Sequence, residues 1–348
     1  MNKPLFLHWL NSMSLYIFNF DGTTNSPKDA FDEKKDTITN IVKLHLIFGG
    51  AFIENGESSF LEQKSFYYSG VGTYGESLNR MFNSILSPEE GDVKNILNRA
   101  LNDFKSIGFN SEKDKVVVTG FSRGAALARR FATIVGEKID KASLYIIAFD
   151  TVASIGVPDF NMGNRPSSEV VFENHRVSGK VIKALHIVAL DEKRKAFQPT
   201  LMNYEEKVTE VWFPGAHADI GGGYRQDGLA DNVLCFALRW LAVQNLGVQV
   251  KSISDIDYQN IFPIGSVYKI KKEDLNITPN PLCASHEQKR NFILSWFTLS
   301  RRRCCVVKDD LISTIPPNIH DSVFYRIKNI KSYKPNIPNQ LEDAGVIT

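Results

Sequence analysis

Residues 115–132 read KVVVTGFSRGAALARRFA, and this stretch decides the fold. Val116, Val117 and Val118 are β-branched and apolar, the composition of a strand buried on both faces. Residues 125–132 are rich in alanine and form helix readily. Between them lies Gly120-Phe121-Ser122-Arg123-Gly124, a G-x-S-x-G pentapeptide. Strand, sharp turn and helix with a serine at the turn is the context of a nucleophile elbow. There the serine holds a strained backbone, and a Cβ at Gly120 or Gly124 would collide with a neighbouring strand or helix. The helix N-terminus also points its N–H groups to where an oxyanion would form. The plainer reading is a glycine-rich turn capped by Ser122. The strand before and the helix after favour a nucleophilic serine.

The bulk composition bounds the rest. At 348 residues the chain has room for one large α/β domain with insertions or for two small ones. With 41 basic and 39 acidic residues the net charge is +2, so no nucleic-acid partner is expected. The four cysteines (Cys235, Cys283, Cys304, Cys305) show no metal or redox spacing. Adjacent cysteines pair poorly, so reduced thiols are expected, with no metal and no cofactor. There is no run of about 18 apolar residues, so no transmembrane helix is expected. Residues 1–18 are interrupted by His8, Asn11 and Ser12 and lack a small-residue cleavage site. They read as a leader into the first strand rather than a signal peptide, which makes the chain cytoplasmic as synthesised.

Towards the N-terminus, residues 15–20 read as a strand ending at Asp21-Gly22-Thr23-Thr24-Asn25. Ligands of α/β sheets bind outside the C-terminal strand ends, so Gly22 and Thr23 are candidates for an oxyanion loop. The alternative is an ordinary connection capped by Asp or Thr. Residues 37–48 follow helical spacing. Residues 65–69 form a second strand running into Gly70-Val71-Gly72-Thr73, a candidate lining of the same cleft. With Gly75 this loop matches G-x-G-x-x-G, but Glu89 and Glu90 downstream fall in a turn, so a dinucleotide site is a weak reading. Residues 78–85 and 93–107 are predicted helices.

Towards the C-terminus, residues 142–149 form an apolar strand ending at Asp150, well placed to orient a histidine. Residues 154–178 lack periodicity and read as an excursion over the sheet. Residues 181–190 mix helix and strand signals; their end is taken as a strand leading to Asp191, the rival acid. His186 inside that run reads as a satisfied core residue. Residues 208–213 alternate as a strand and lead into PGAHADIGGGY at 214–224. His217 there completes the chain order Ser…Asp…His and is the candidate general base. Asp219 is poorly aimed at its neighbour's imidazole and reads as structural or as a metal ligand. Residues 232–245 form an amphipathic helix with Leu234, Leu238 and Leu241 on its core side. Residues 250–315 are harder to read; they hold Phe292, Trp296 and Phe297, then Arg301-Arg302-Arg303. These arginines either meet phosphate or a membrane surface or form a solvated face, and the solvated face is the reading taken. Residues 265–310 are a candidate lid, and His320 is the rival base. With no internal repeat and no long linker, residues 1–348 read as one domain.

Five segments occur in order: FNFDGTTN at 18–25, YYSGVGT at 67–73, GFSRGAALAR at 120–129, FDTVASIG at 149–156 and WFPGAHADIGGGY at 212–224. Together they resemble the first class of type VI secretion lipase effectors, which are α/β-hydrolase phospholipases. LDEKRKAFQP at 190–199 and IHDSVFYR at 319–326 also fit, so the resemblance covers nearly the whole chain. It implies a mostly parallel central sheet covered by helices on both faces, with lid-like insertions at about residues 155–180 and 250–315. It places the triad on Ser122, Asp150 and His217, with oxyanion donors from Arg123 and the Gly22-Thr23 loop. The implied activity is hydrolysis of membrane phospholipid esters, as in attack on a rival cell. A secretion-apparatus delivery partner, an immunity protein and delivery into the target periplasm come with it. Larger family members carry a membrane-anchoring portion for which this chain is too short, so docking is expected from the lid-like regions. Two readings stay open beside it: the same machinery acting on a soluble ester or thioester, and a non-catalytic hydrolase-like module that binds a partner.

Overall fold

The valine run at residues 116–118 lies inside an eight-stranded sheet in the computed structural model of the chain, which describes residues 13–23, 25, 37–53, 58–60, 62–70, 90–152, 176–225, 227–286 and 299–338. The chain runs through β1 (Leu15–Phe20), α1 (Asn40–Ile47), β2 (Ser58–Phe60), β3 (Gln63–Tyr68), α2 (Glu90–Ser106) and β4 (Lys115–Phe121). It continues through α3 (Arg123–Gly136), β5 (Leu144–Phe149), β6 (Val181–Ala189), β7 (Val208–Phe213), α4 (His217–Gly221) and α5 (Gly228–Ala242). The short strands β8 (Val307–Lys308) and β9 (Leu311–Ile312) pair with each other, and β10 (Asn318–Ile319) and α6 (Asp321–Asn329) follow.

The sheet order is β10-β7-β6-β5-β4-β1-β3-β2. Every neighbour is parallel except β2, which pairs antiparallel with β3 at the edge. Parallel strands are covered on both faces, which is why their sequences are continuous apolar runs rather than alternating ones. Every residue of β1 and β5 is buried. Successive side chains point to opposite faces. Ile17, Val117 and Ile147 join a core with α1 and α5, while Phe18, Val118 and Ile146 join a second core with α2 and α3. Phe131 of α3 is fully buried, with its ring 4.7 Å from Phe18 and 5.5 Å from Phe20. Burying such a ring contributes roughly 1.5–3 kcal/mol, so α3 is fixed firmly against β1, the strand beside the serine's own.

Two expectations change. Residues 181–189 are strand throughout, because β6 is sandwiched between β5 and β7 and that pairing overrides the local helical spacing. Of the three consecutive arginines, Arg301 and Arg303 are exposed as a solvated face requires, but Arg302 is buried. The helix at 78–85, the loop at 71–75, the excursion at 154–175 and Thr24, Phe292, Trp296 and Phe297 lie outside the described residues. Among the described residues, no helix is long and apolar enough to cross a membrane. A mostly parallel sheet covered on both faces, with a serine turn after a central strand, is the α/β-hydrolase arrangement.

Candidate active site

Ser122 joins β4 to α3 with φ 57° and ψ −124°. A non-glycine residue at positive φ is strained and persists only where its surroundings hold it. Both flanking glycines are required by contact. A Cβ on Gly120 would lie 2.5 Å from the Gly124 carbonyl oxygen, and one on Gly124 would lie 2.2 Å from the Asp21 carbonyl oxygen. The elbow is therefore pressed between its own helix and the end of β1. Ser122 is 6% exposed, and its backbone N–H donates to the Phe149 carbonyl at the end of β5.

The loop after β1 packs beside this turn. Asp21 is buried, and its carboxylate accepts hydrogen bonds from the Gly22 N–H (2.7 Å), the Thr39 hydroxyl (2.9 Å) and the Tyr67 hydroxyl (2.6 Å). Thr23 accepts from Arg123 Nε at 2.6 Å, which ties the two candidate oxyanion segments together. A Cβ on Gly70, just after β3, would sit 1.6 Å from the Gly22 carbonyl oxygen, so Gly70 packs directly on the loop after β1.

Asp150 follows β5 at φ 42° and is fully buried. Its Oδ2 lies 2.5 Å from His217 Nδ1. Burial alone would raise the carboxyl's pKa, but the charge of Arg302 and the hydrogen bond from His217 outweigh it and hold the group well below the usual carboxylate range. An ionised carboxylate only accepts hydrogen bonds, so His217 Nδ1 carries the proton and Nε2 is left as the basic nitrogen. His217 begins α4, a five-residue helix. Its ring lies between Phe121 (centroids 4.6 Å apart) and Phe197 (4.9 Å). Burial lowers its pKa, against the raising effect of Asp150. The hydrogen bonds of His217 run to Asp150 and Glu192, and among the described residues none joins it to Ser122 Oγ.

The other sequence candidates sit elsewhere. Asp191 accepts from the Gly215 N–H (2.7 Å) and the Tyr333 hydroxyl (2.9 Å), holding the turn before His217 rather than its imidazole. His320 caps α6, accepting from the Ser322 N–H, and stacks on Phe213 with centroids 4.0 Å apart. His186 is a satisfied core residue: Nε2 accepts from the Thr151 N–H (3.1 Å) and Nδ1 donates to Glu210 (2.8 Å). Asp219 is structural, binding the Ala216 N–H (2.8 Å) and His286 Nδ1 (2.6 Å). Among the described residues, no group of three His, Cys, Asp or Glu side chains is arranged to hold a metal ion.

Sequence reasoning missed the charged shell around this pair. Arg302 donates from Nη1 to Asp150 Oδ1 (2.6 Å) and from Nη2 to Oδ2 (2.9 Å), 152 residues away in the chain. Glu192 accepts from the His217 N–H (3.2 Å), from the Arg194 N–H (2.7 Å) and twice from the Arg194 guanidinium (2.9 and 2.7 Å). Burial would raise the Glu192 carboxyl, but Arg194 brings it down to about 2. The Arg194 guanidinium in turn lies 3.6 Å over the Phe197 ring.

The profile of one protein family, described as "T6SS, Phospholipase effector Tle1-like, catalytic domain", matches residues 15–139 and 140–244. No curated protein matches the chain in sequence. Among solved structures, one of an uncharacterized protein from Pseudomonas aeruginosa is 17% identical, covering 74% of this chain and 49% of that one at a TM-score of 0.47. One of the Tle1 effector bound to the VgrG spike of the type 6 secretion system is 25% identical, covering 62% and 52% at 0.38. A dienelactone hydrolase from Anabaena variabilis is 13% identical, covering 67% and 87% at 0.36. The chain thus spans about half the length of the first two.

Proposed function

The chain belongs to the family of Tle1-like phospholipase effectors of the type VI secretion system, and from that premise we propose that it is a serine ester hydrolase that releases fatty acyl chains from glycerophospholipids. The reading rests above all on one relationship: a strained serine at the head of α3 beside a buried aspartate–histidine pair whose histidine keeps Nε2 basic. In this reading Ser122, His217 and Asp150 are the triad. His217 Nε2 takes the proton from Ser122 Oγ as Oγ bonds to the ester carbonyl carbon. Asp150 holds the tautomer and stabilises the imidazolium. The backbone N–H groups of Arg123 and Thr23 are the candidate oxyanion donors; the Gly22 N–H is already committed to Asp21. The tetrahedral intermediate collapses, the alcohol leaves with the proton returned from His217, and water cleaves the acyl-enzyme by the same base. Hydrogen bonds from nucleophile to base commonly tighten only once substrate is bound.

In the same proposal the chain is one hydrolase domain. It is carried to a target cell's membrane by the secretion apparatus and countered in its own cell by an immunity protein. The spike-bound effector among the similar structures supports a delivery partner of that kind. The test is mass spectrometry of the products from mixed phospholipid vesicles, with wild type beside Ser122→Ala. Wild type is expected to release free fatty acid and lysophospholipid, and a folded Ser122→Ala to release neither. Retained release by the variant removes Ser122 from the mechanism. Turnover of short soluble esters with none of vesicles moves the substrate to a soluble ester.

A further inference from the structure

We propose that Arg302 is a positioning residue for the Asp150–His217 pair, fixing the aspartate's orientation and setting the basicity of the histidine. This rests on the hydrolase reading above. Arg302 is 1% exposed, so it has no access to a substrate and acts only through what it touches. Its two terminal nitrogens each hold one oxygen of Asp150, the fork-to-carboxylate arrangement that fixes both the distance and the plane of the carboxylate. Each nitrogen has a second anchor, Nη1 on the Ala189 carbonyl (2.8 Å) and Nη2 on the Phe197 carbonyl. The Arg302 backbone carbonyl accepts in turn from Asn336 (2.7 Å). The guanidinium is therefore held from the end of β6 and from the segment that packs Phe197 on His217, and the Arg302 backbone is held by the C-terminal segment.

The electrostatic consequence has a definite sign. In a pair without a cation, the full charge of a buried aspartate stabilises the imidazolium and raises the histidine's pKa. A fixed guanidinium across the carboxylate takes up part of that charge and repels the imidazolium directly. Both effects keep His217 neutral, and so able to accept a proton, to lower pH. The other charged groups facing the pair among the described residues are Glu192, which favours the imidazolium, and Arg194, which opposes it. Arg194 is paired with Glu192 at 2.7 Å, which offsets that carboxylate's charge at short range. Arg302 also lies beyond residues 15–244, which carry the family match, so the C-terminal segment contributes to the reacting pair itself.

The test is an NMR titration of the His217 imidazole, with histidine labelled at Cε1 and the resonance assigned by loss in His217→Gln. This readout needs no turnover, so absent esterase activity defeats the hydrolase reading without touching it. In wild type the midpoint is expected below the ordinary histidine value of about 6.5. In Arg302→Gln it is expected to rise by at least half a pH unit, and Arg302→Lys, which keeps the charge, is expected to restore most of the difference. A folded Arg302→Gln with an unmoved midpoint overturns the proposal, because a purely structural arginine would leave it there. Should Arg302→Gln fail to fold, wild type decides alone: a midpoint above about 7, where a histidine stabilised by an uncompensated aspartate titrates, also overturns it.

Discussion

His217 Nδ1 stands 2.5 Å from Asp150 Oδ2, and the carboxylate it meets is already gripped on both oxygens by Arg302. The imidazole is thereby fixed in the tautomer that leaves Nε2 unprotonated. Its neighbours Phe121 and Phe197 fix the ring plane. The imidazole is set by tertiary contacts from four separate segments: the ends of β4, β5 and β6 and the C-terminal region.

A dependence on pH follows from that relationship. Burial lowers the His217 pKa, and a histidine proposed as general base works only when neutral. The acid limb of kcat/KM on a short soluble ester is expected to have its midpoint below about 6.5, with activity rising through it to a plateau near neutrality. Asp150 stays ionised throughout. If the proposed triad operates, Asp150→Asn turns an acceptor into a donor facing Nδ1, forces the other tautomer and is expected to cost about 10⁴-fold in kcat, the loss the same change causes in the serine-protease triad. Steady-state kinetics from pH 4.5 to 8 checks both; a midpoint well above neutrality would contradict the burial argument.

The elbow makes a second prediction. A methyl on Gly124 lands 2.2 Å from the Asp21 carbonyl oxygen and 2.4 Å from that of Phe20, and both are backbone. Neither can rotate away, so α3 must move off β1. Overpacking of this kind costs about 1–3 kcal/mol. A shift of about 1 Å at a nucleophile costs on the order of 10²-fold in rate. Gly124→Ala is expected to lower the urea midpoint and to reduce kcat further than the lost stability explains. Gly179→Ala is the control, since a Cβ there meets nothing within 4 Å.

The contrast between Ser122 and Arg302 shows what a sequence carries. The elbow was legible because strand, serine and helix are contiguous, and sterics alone dictate glycines at 120 and 124. The meeting of Asp150 and His217 was legible because each follows a strand, and strand ends in a parallel sheet meet at one edge. Arg302 was hidden between two exposed arginines, and only a contact 152 residues long distinguishes it. The strand at residues 181–189 was half legible for the same reason, since its neighbours β5 and β7, not its own spacing, keep it extended.

The two histidines that compete as base are separable by substitution. His320 accepts the Ser322 N–H as the cap of α6 and stacks on Phe213, and burial pushes its pKa down to about 4. Loss of an N-terminal cap costs about 1 kcal/mol. His320→Gln is expected to lower the unfolding midpoint slightly and to leave kcat within a few-fold of wild type. His217→Gln is expected to abolish ester turnover. If the two variants behave the other way round, the base is His320 and the Asp150–His217 pair is structural.

Asp227 gives a stability prediction that does not involve the chemistry. It is 7% exposed, and its Oδ2 accepts from the Gly223 N–H (3.0 Å) and the Tyr224 N–H (3.3 Å) ahead of α5. Burial raises its pKa from 3.8 to about 7, more than the charge of Lys43 pulls it down. Between those values the unfolded chain releases the proton while the folded chain keeps it, so the unfolded state binds fewer protons and this group's contribution falls as pH rises. The span is about 3 units, roughly 4 kcal/mol, lost by the time pH passes 7. Asp227→Asn keeps a carbonyl oxygen for the two N–H groups and never ionises. The variant is expected to unfold at a higher temperature than wild type at pH 8, with the gap closing towards pH 4. Melting curves across that range check it, and a gap that widens on acidification would mean that Asp227 is ionised in the folded protein.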